Sequence, residues 1–308
     1  MRYRRFAPSS RRSPFPGRGR LRSGCRLAFL VIVAGGGLSG ARPAWGGPES
    51  RAIAIDAVRT IPRYPLDVIA DYERALATTV SVLERELGFP RLSGTLLLFP
   101  DKHSLRDSLL QEGHSRRVSG DAADALAAVA SSTAVRINQR AMLPLRWPER
   151  VQVIAHELTH IAQNQLAGGR RGASQQWLRE GLAVWVSLRV LEVLGHGRLA
   201  VALRDARDVV GHEGRKGWRP TLAELSTFEG WARASADRPA KLLYDQALLA
   251  TDALITSRGL AAALHYFSRF QECNDQHVNF RAAFEEEGTS FEKRFDVKVT
   301  ELIRDYNE

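Results

Sequence analysis

Between Pro148 and Leu166 the chain carries His156-Glu157-Leu158-Thr159-His160, and no other stretch narrows the architecture as much. At about 100° per residue, positions i and i+4 lie ~40° apart around a helix, so the two imidazoles project from one face and can grip a single ion. Glu157 falls on the neighbouring flank. A carboxylate there does not ligate, yet lies close enough to take a proton from a water that the ion has activated. Catalytic zinc normally takes three protein ligands and leaves a fourth position for water or substrate, so the pattern needs a third ligand. Glu180, in Trp177-Leu178-Arg179-Glu180-Gly181-Leu182-Ala183, is the candidate. A Gly168-Gly169 break ends the first helix and lets the chain fold back beside it, with room for one loop and the first turn of a second helix before Glu180.

HELTH followed by WLREGLA resembles the gluzincin branch of zinc metallopeptidases, the thermolysin-type arrangement, and is especially similar to the peptidase MA-like domains of bacterial secreted proteins. The resemblance implies an α+β, zincin-like fold: a small N-terminal mixed sheet with the active-site helix, then a mostly helical C-terminal part. It also implies that His156, His160 and Glu180 ligate Zn²⁺ and that Glu157 is the general base. Thermolysin-like enzymes carry, four residues after the glutamate ligand, an aspartate that buttresses a ligand histidine; here that position is Val184. Outer partners orient ligating histidines and tune affinity, so their identity in this chain is open. Tyr244-Asp245-Gln246-Ala247, opening a helix, resembles the C-terminal part of the same proteins. Tyr244 is therefore a candidate hydrogen-bond donor to the oxyanion, a role tyrosines fill in several gluzincins, with a core or capping tyrosine as the alternative.

The basic balance does not point to nucleic acid. Of the 44 Lys and Arg, ten lie in the first 44 residues, which hold no Asp or Glu, leaving 34 basic against 34 acidic residues. The excess belongs to a segment with the parts of a secretory signal: an arginine-rich start, an apolar stretch from Leu27 to Ala34, and small residues through Ala41. Cleavage after Ala41 is expected, giving an exported protein, periplasmic or secreted. An uncleaved membrane anchor is the alternative, although the apolar run falls short of the ~20 residues that span a bilayer. Ser10-Arg11-Arg12 lacks the residues that usually follow in a twin-arginine signal. Leu21 to Cys25 precedes the apolar core, where a lipidated cysteine should follow it. Without the signal, Cys273 stands alone and no internal disulfide forms.

The expected layout is a signal over 1–41, a linker over 42–64, and one metallopeptidase domain over 65–308, its sheet and metal helix in 65–167 and a helical subdomain in 168–308. Apolar residues at three- and four-residue steps predict a helix from Pro65 to Leu87, ended by Gly88 and Pro90. Thr95 to Phe99 reads as a buried strand, and a short helix follows from Ser104 to Gln111. Asp121 to Ala130 is readable as helix or loop. Thr133 to Gln139 alternates Val135 and Ile137 with Ala134, Arg136 and Asn138, which predicts an exposed edge strand. In folds of the resembling family such an edge binds extended substrate as an added strand, so 133–139 is the expected seat of a peptide or protein substrate. Merely completing the sheet is the bland alternative.

Pro148 starts the metal helix in its first turn. A second helix over Gln176 to Leu194 packs on it. Further helices are expected over Arg198 to Val210, near Leu222 to Phe228, and over Ala240 to Ser257, Leu260 to Gln271, Phe280 to Glu287 and Thr289 to Tyr306. A glycine-rich surface loop is expected over Gly211 to Pro220, and Thr289 with Glu292 reads as a capping box. His103, His114, His196, His212, His265 and His277 lack ligand spacing. Arg170 and Arg171 read as a solvated loop, or as partners for an acidic substrate group. Two functions fit: a zinc peptidase, or a non-catalytic domain of the same fold that binds a cell-envelope partner. The base retained beside the two histidines favours the first.

Overall fold

The computed structural model describes residues 51–56, 72–111, 127–169, 171–217, 219–237 and 239–305. The expected signal, most of the linker, the start of the helix expected from Pro65, residues 121–126 and Arg170 lie outside them. The architecture is α+β and mostly helical, with one four-stranded mixed sheet.

The strands are β1 (Arg51–Ala54), β2 (Thr95–Phe99), β3 (Ala128–Ala130) and β4 (Ala134–Asn138), side by side in the order β1-β2-β4-β3. β2 and β4 run parallel, with Thr95 opposite Ala134 and Phe99 opposite Asn138, while β1 and β3 pair antiparallel with their neighbours. β1 comes from within the segment expected to be a linker. β3 resolves the helix-or-loop stretch, in its described part, as strand.

The expected edge strand over 133–139 is overturned. β4 is paired on both sides and buried along its whole length, and the terminal strand beside it is β3. Arg136 and Asn138, whose polarity suggested a solvent face, are both buried. Asn138 has a local reason: its side chain caps α3 (Gln139–Met142) by accepting the Ala141 N–H. A polar residue on a strand can mark the next helix start rather than water.

The helices before the metal motif are α1 (Tyr72–Arg85) and α2 (Lys102–Gln111). The metal helix α4 (Trp147–Leu166) opens with Pro148 in its first turn, and the Glu149 carboxylate accepts the Arg146 main-chain N–H at 2.7 Å. It ends where Gly168 and Gly169 adopt φ of 73° and 84°, left-handed backbone that costs other residues energy. Every residue from Val153 to Asn164 is buried, as befits a helix packed between α1, β3 and α5 (Gln176–Val193).

Helix α5 lies in turn against α6 (Leu199–Arg215) and the long α8 (Ala240–Arg258). At Gly181 a Cβ would meet the Ala247 carbonyl carbon of α8 at 2.7 Å, so the two helices approach closely because this residue has no side chain. The surface loop expected from Gly211 is also corrected. Helix α6 continues through Gly211 and Gly214 to Arg215 because it packs on the C-terminal helix, and tertiary burial outweighs the poor helix propensity of glycine.

Residues 222–225 form a turn, and α7 (Phe228–Asp237), absent from the sequence reading, follows it. The remaining helices are α9 (Leu260–Ser268), extended by a 3₁₀ turn over Arg269–Gln271, then α10 (Gln276–Phe284) and α11 (Gly288–Asp305). The capping box expected of Thr289 and Glu292 does not form. Helix α11 already begins at Gly288, and Glu292 turns inward to accept from Trp177 Nε1 at 2.9 Å and Ser226 Oγ at 2.6 Å. With Phe291 stacked on Trp177 at 5.6 Å, this carboxylate ties the C-terminal helix to the first turn of α5.

Candidate metal centre

Two consecutive turns of α4 and the first turns of α5 bring His156, His160 and Glu180 together in the interior, each essentially inaccessible to solvent. His156 Nε2 and His160 Nε2 are 3.1 Å apart, and Glu180 Oε2 is 3.5 Å from each. Two ligand atoms ~2.0–2.1 Å from one tetrahedral zinc ion are about 3.3 Å from each other. The spacing therefore matches a shared ion. Glu180 Oε2 is buried and accepts no hydrogen bond, whereas Oε1 accepts from Gln176 Nε2 at 2.8 Å. One carboxylate oxygen is held by the protein, and the other is left to the cluster. Among the described residues, this is the single group of three His, Cys, Asp or Glu able to hold a metal ion.

The electrostatics suit a cation. Burial works to raise the Glu180 carboxyl, but it is overcome by the imidazoles of His160 and His156, each 3.5 Å from Oε2, which hold the group below the usual carboxylate range. Glu157 behaves in the opposite way. Burial, reinforced by the nearby Glu180 charge and opposed chiefly by His156, pushes its carboxyl up to about 7. The Ala130 N–H of β3 donates to this carboxylate, and its Oε2 makes no hydrogen bond among the described residues. A buried carboxylate with an unspent oxygen, next in sequence to His156 and aligned by a strand, has the attributes of a base.

Tyr244, at the start of α8, lies with its ring edge-on to His156, centroids 6.1 Å apart. Burial, then the charges of Glu180 and Glu157, raise its hydroxyl well above the ordinary tyrosine value, so it stays a donor. Trp231 of α7 packs edge-on to it at 5.2 Å. All five residues singled out in the sequence thus converge, with Tyr244 reaching the cluster through the contact at Gly181.

Other polar groups at the cluster escaped the sequence reading. Gln163, at i+3 from His160, accepts from its ring, and Gln176, at i−4 from Glu180, orients the carboxylate; both spacings are readable once the helices are known. Arg171 lies half-buried in its loop. It donates to Gln176 Oε1, so it supports Glu180 through that amide, and its guanidinium lies 5.6 Å from the Phe228 ring. Arg179 is buried and donates to Asn164 Oδ1 at 2.8 Å. Burial and the nearby Arg171 charge push its guanidinium down to about 9 against the pull of Glu180 and Glu157.

The fold and cluster together define an α+β protein with a buried two-histidine, one-glutamate site suited to a metal ion. Comparison with known protein families, with curated proteins and with solved structures finds no match to this chain.

Proposed function

We propose that this protein is a zinc-dependent metallopeptidase of the gluzincin type, with a zincin-like fold, that hydrolyses peptide bonds. The observation that carries the proposal is the convergence of two imidazole nitrogens and a carboxylate oxygen at 3.1 and 3.5 Å, with the unspent Oε2 of Glu157 buried on the same helix. A His₂Glu set is a zinc donor set that leaves a coordination position open. When bound, the ion supplies Lewis acidity that activates a water and polarises the scissile carbonyl.

The chain's own residues account for the proton traffic. Glu157 accepts the water proton as oxygen adds to the carbonyl carbon. It then delivers the proton to the departing amide nitrogen as the C–N bond breaks. Tyr244 donates its hydroxyl hydrogen to the carbonyl oxygen as negative charge gathers there. The substrate is a peptide or protein. β3, the terminal strand, steadies Glu157. The arginine-rich start and the apolar stretch to Ala34 support export, with the mature chain beginning near Arg42.

Glu157→Gln tests the reading. The change touches no ligand and is nearly isosteric, so zinc measured by elemental analysis should be retained. Hydrolysis of a peptide the wild type cuts should fall by ~10² to 10⁴-fold, because an amide cannot accept the water proton. A mutant retaining both zinc and full activity eliminates this mechanism.

A further inference from the structure

Gln163 is wholly buried on α4, and its two amide atoms face different partners. Oε1 is 2.8 Å from His160 Nδ1, and Nε2 donates to the main-chain oxygen of Arg179 at 2.9 Å. A carbonyl oxygen only accepts, so the Gln163 atom facing Arg179 must be the NH₂ group. The amide cannot flip without setting two oxygens against each other. Its Oε1, also acceptor only, must then receive a hydrogen from His160 Nδ1. In the neutral ring the other nitrogen, Nε2, is consequently a bare lone pair, and it is the atom that faces His156 Nε2 and Glu180 Oε2.

We infer that Gln163 is a positioning residue that sets the tautomer and ring plane of His160 and docks the residue before Glu180 onto the same amide. One uncharged side chain thereby couples two of the three ligand positions, although they are carried on separate helices. The neighbouring Asn164 strengthens the link by accepting from the Arg179 guanidinium, so consecutive residues of α4 hold both the main chain and the side chain of Arg179. Val184 offers no polar atom for such a role. The tautomer assignment stands on the hydrogen-bond logic alone, whereas its consequence for zinc rests on the metallopeptidase reading.

Two-bond ¹H–¹⁵N correlation of the histidine side chains, on metal-free ¹⁵N-labelled protein with the pH raised until the ¹⁵N shifts of His160 show a neutral ring, separates the two. Wild-type His160 should show the Nδ1–H form. Gln163→Leu should lose that preference, and zinc affinity by chelator competition should fall about 10- to 100-fold, the usual cost of removing an outer partner. Gln163→Glu keeps an acceptor oxygen toward the ring and should retain the Nδ1–H form, while losing the hydrogen bond to the Arg179 main-chain oxygen.

Wild-type His160 carrying its hydrogen on Nε2 overturns the inference, and this result suffices if Gln163→Leu does not fold. A folded Gln163→Leu protein with unchanged tautomer and unchanged zinc affinity also overturns it. Wild-type protein with the Nδ1–H form that binds no zinc supports the role of Gln163 in holding the ring and removes the metallopeptidase reading instead.

Discussion

Replacing Gly181 by alanine tests whether the approach of α5 to α8 is what assembles the site. A Cβ at this position would lie 2.7 Å from the Ala247 carbonyl carbon, and closer still to its oxygen and to Thr251 Oγ1. Ordinary carbon contacts fall at ~3.5–4.0 Å, so the helices must separate by about 1 Å. Overpacking of this kind costs about 1–3 kcal/mol, and each kcal/mol lowers Tm by about 2–4 °C in a domain of 150–250 residues. The larger consequence is local. Metal–ligand distances tolerate about ±0.2 Å, and Glu180 is the residue before Gly181, so a 1 Å retreat of α5 should lower zinc affinity by at least about 10-fold. Thr251→Ala in the same chain should restore only part of the loss, because it removes the hydroxyl but leaves the Ala247 carbonyl. The measurements are thermal melts with and without chelator, together with zinc competition. A Gly181→Ala protein that melts within about 1 °C of wild type and binds zinc equally well would refute the claim that this contact holds the cluster.

Glu180→Gln should lower zinc affinity by more than the ~10- to 100-fold typical of outer partners, while Glu192→Gln on the same helix should change it little; equal affinities would move the third ligand elsewhere. Tyr244→Phe should leave zinc content intact and reduce kcat by ~10² to 10³-fold, the usual loss of one oxyanion donor, and an unchanged kcat would return Tyr244 to a packing role. In metal-free protein the Glu157 carboxyl is raised from 4.5 to about 7 by burial, so the native state binds more protons than the unfolded state between those values. Its contribution is complete below about pH 4.5 and is lost as pH rises through about 7, amounting to roughly 3 kcal/mol that Glu157→Gln should abolish; urea melts of both proteins across that range would show parallel pH profiles if the reasoning were wrong.

What the sequence made legible was local. His156 and His160 share a face by helical spacing, Glu157 follows from its offset, and Glu180 follows from the glycine break that returns the chain. The buried strand over Thr95 to Phe99 and the principal helices were readable for the same reason, since apolar periodicity reports burial within one element. Strand order was not readable. Arg136 and Asn138 made β4 look like a solvent edge, yet pairing with both β2 and β3 encloses it, and the pairing joins segments that periodicity treats separately. Glu292 failed similarly: its spacing from Thr289 matched a cap, while its partners, Trp177 and Ser226, lie far away in the chain.

The least legible feature is the one that joins these parts. Glu180 and Gly181 are consecutive, so the residue that offers an oxygen to the cluster is followed by the residue that admits α8 at close range. Tyr244 sits near the start of that helix, and the approach is what carries its ring to His156. On the opposite side, the main-chain oxygen of Arg179 accepts from Gln163, which holds His160. Three adjacent residues of α5 thus fix the histidine, the carboxylate and the tyrosine relative to one another. Moving any one of them by an ångström should be felt at all three groups, which makes their effects on zinc affinity non-additive in double-mutant cycles.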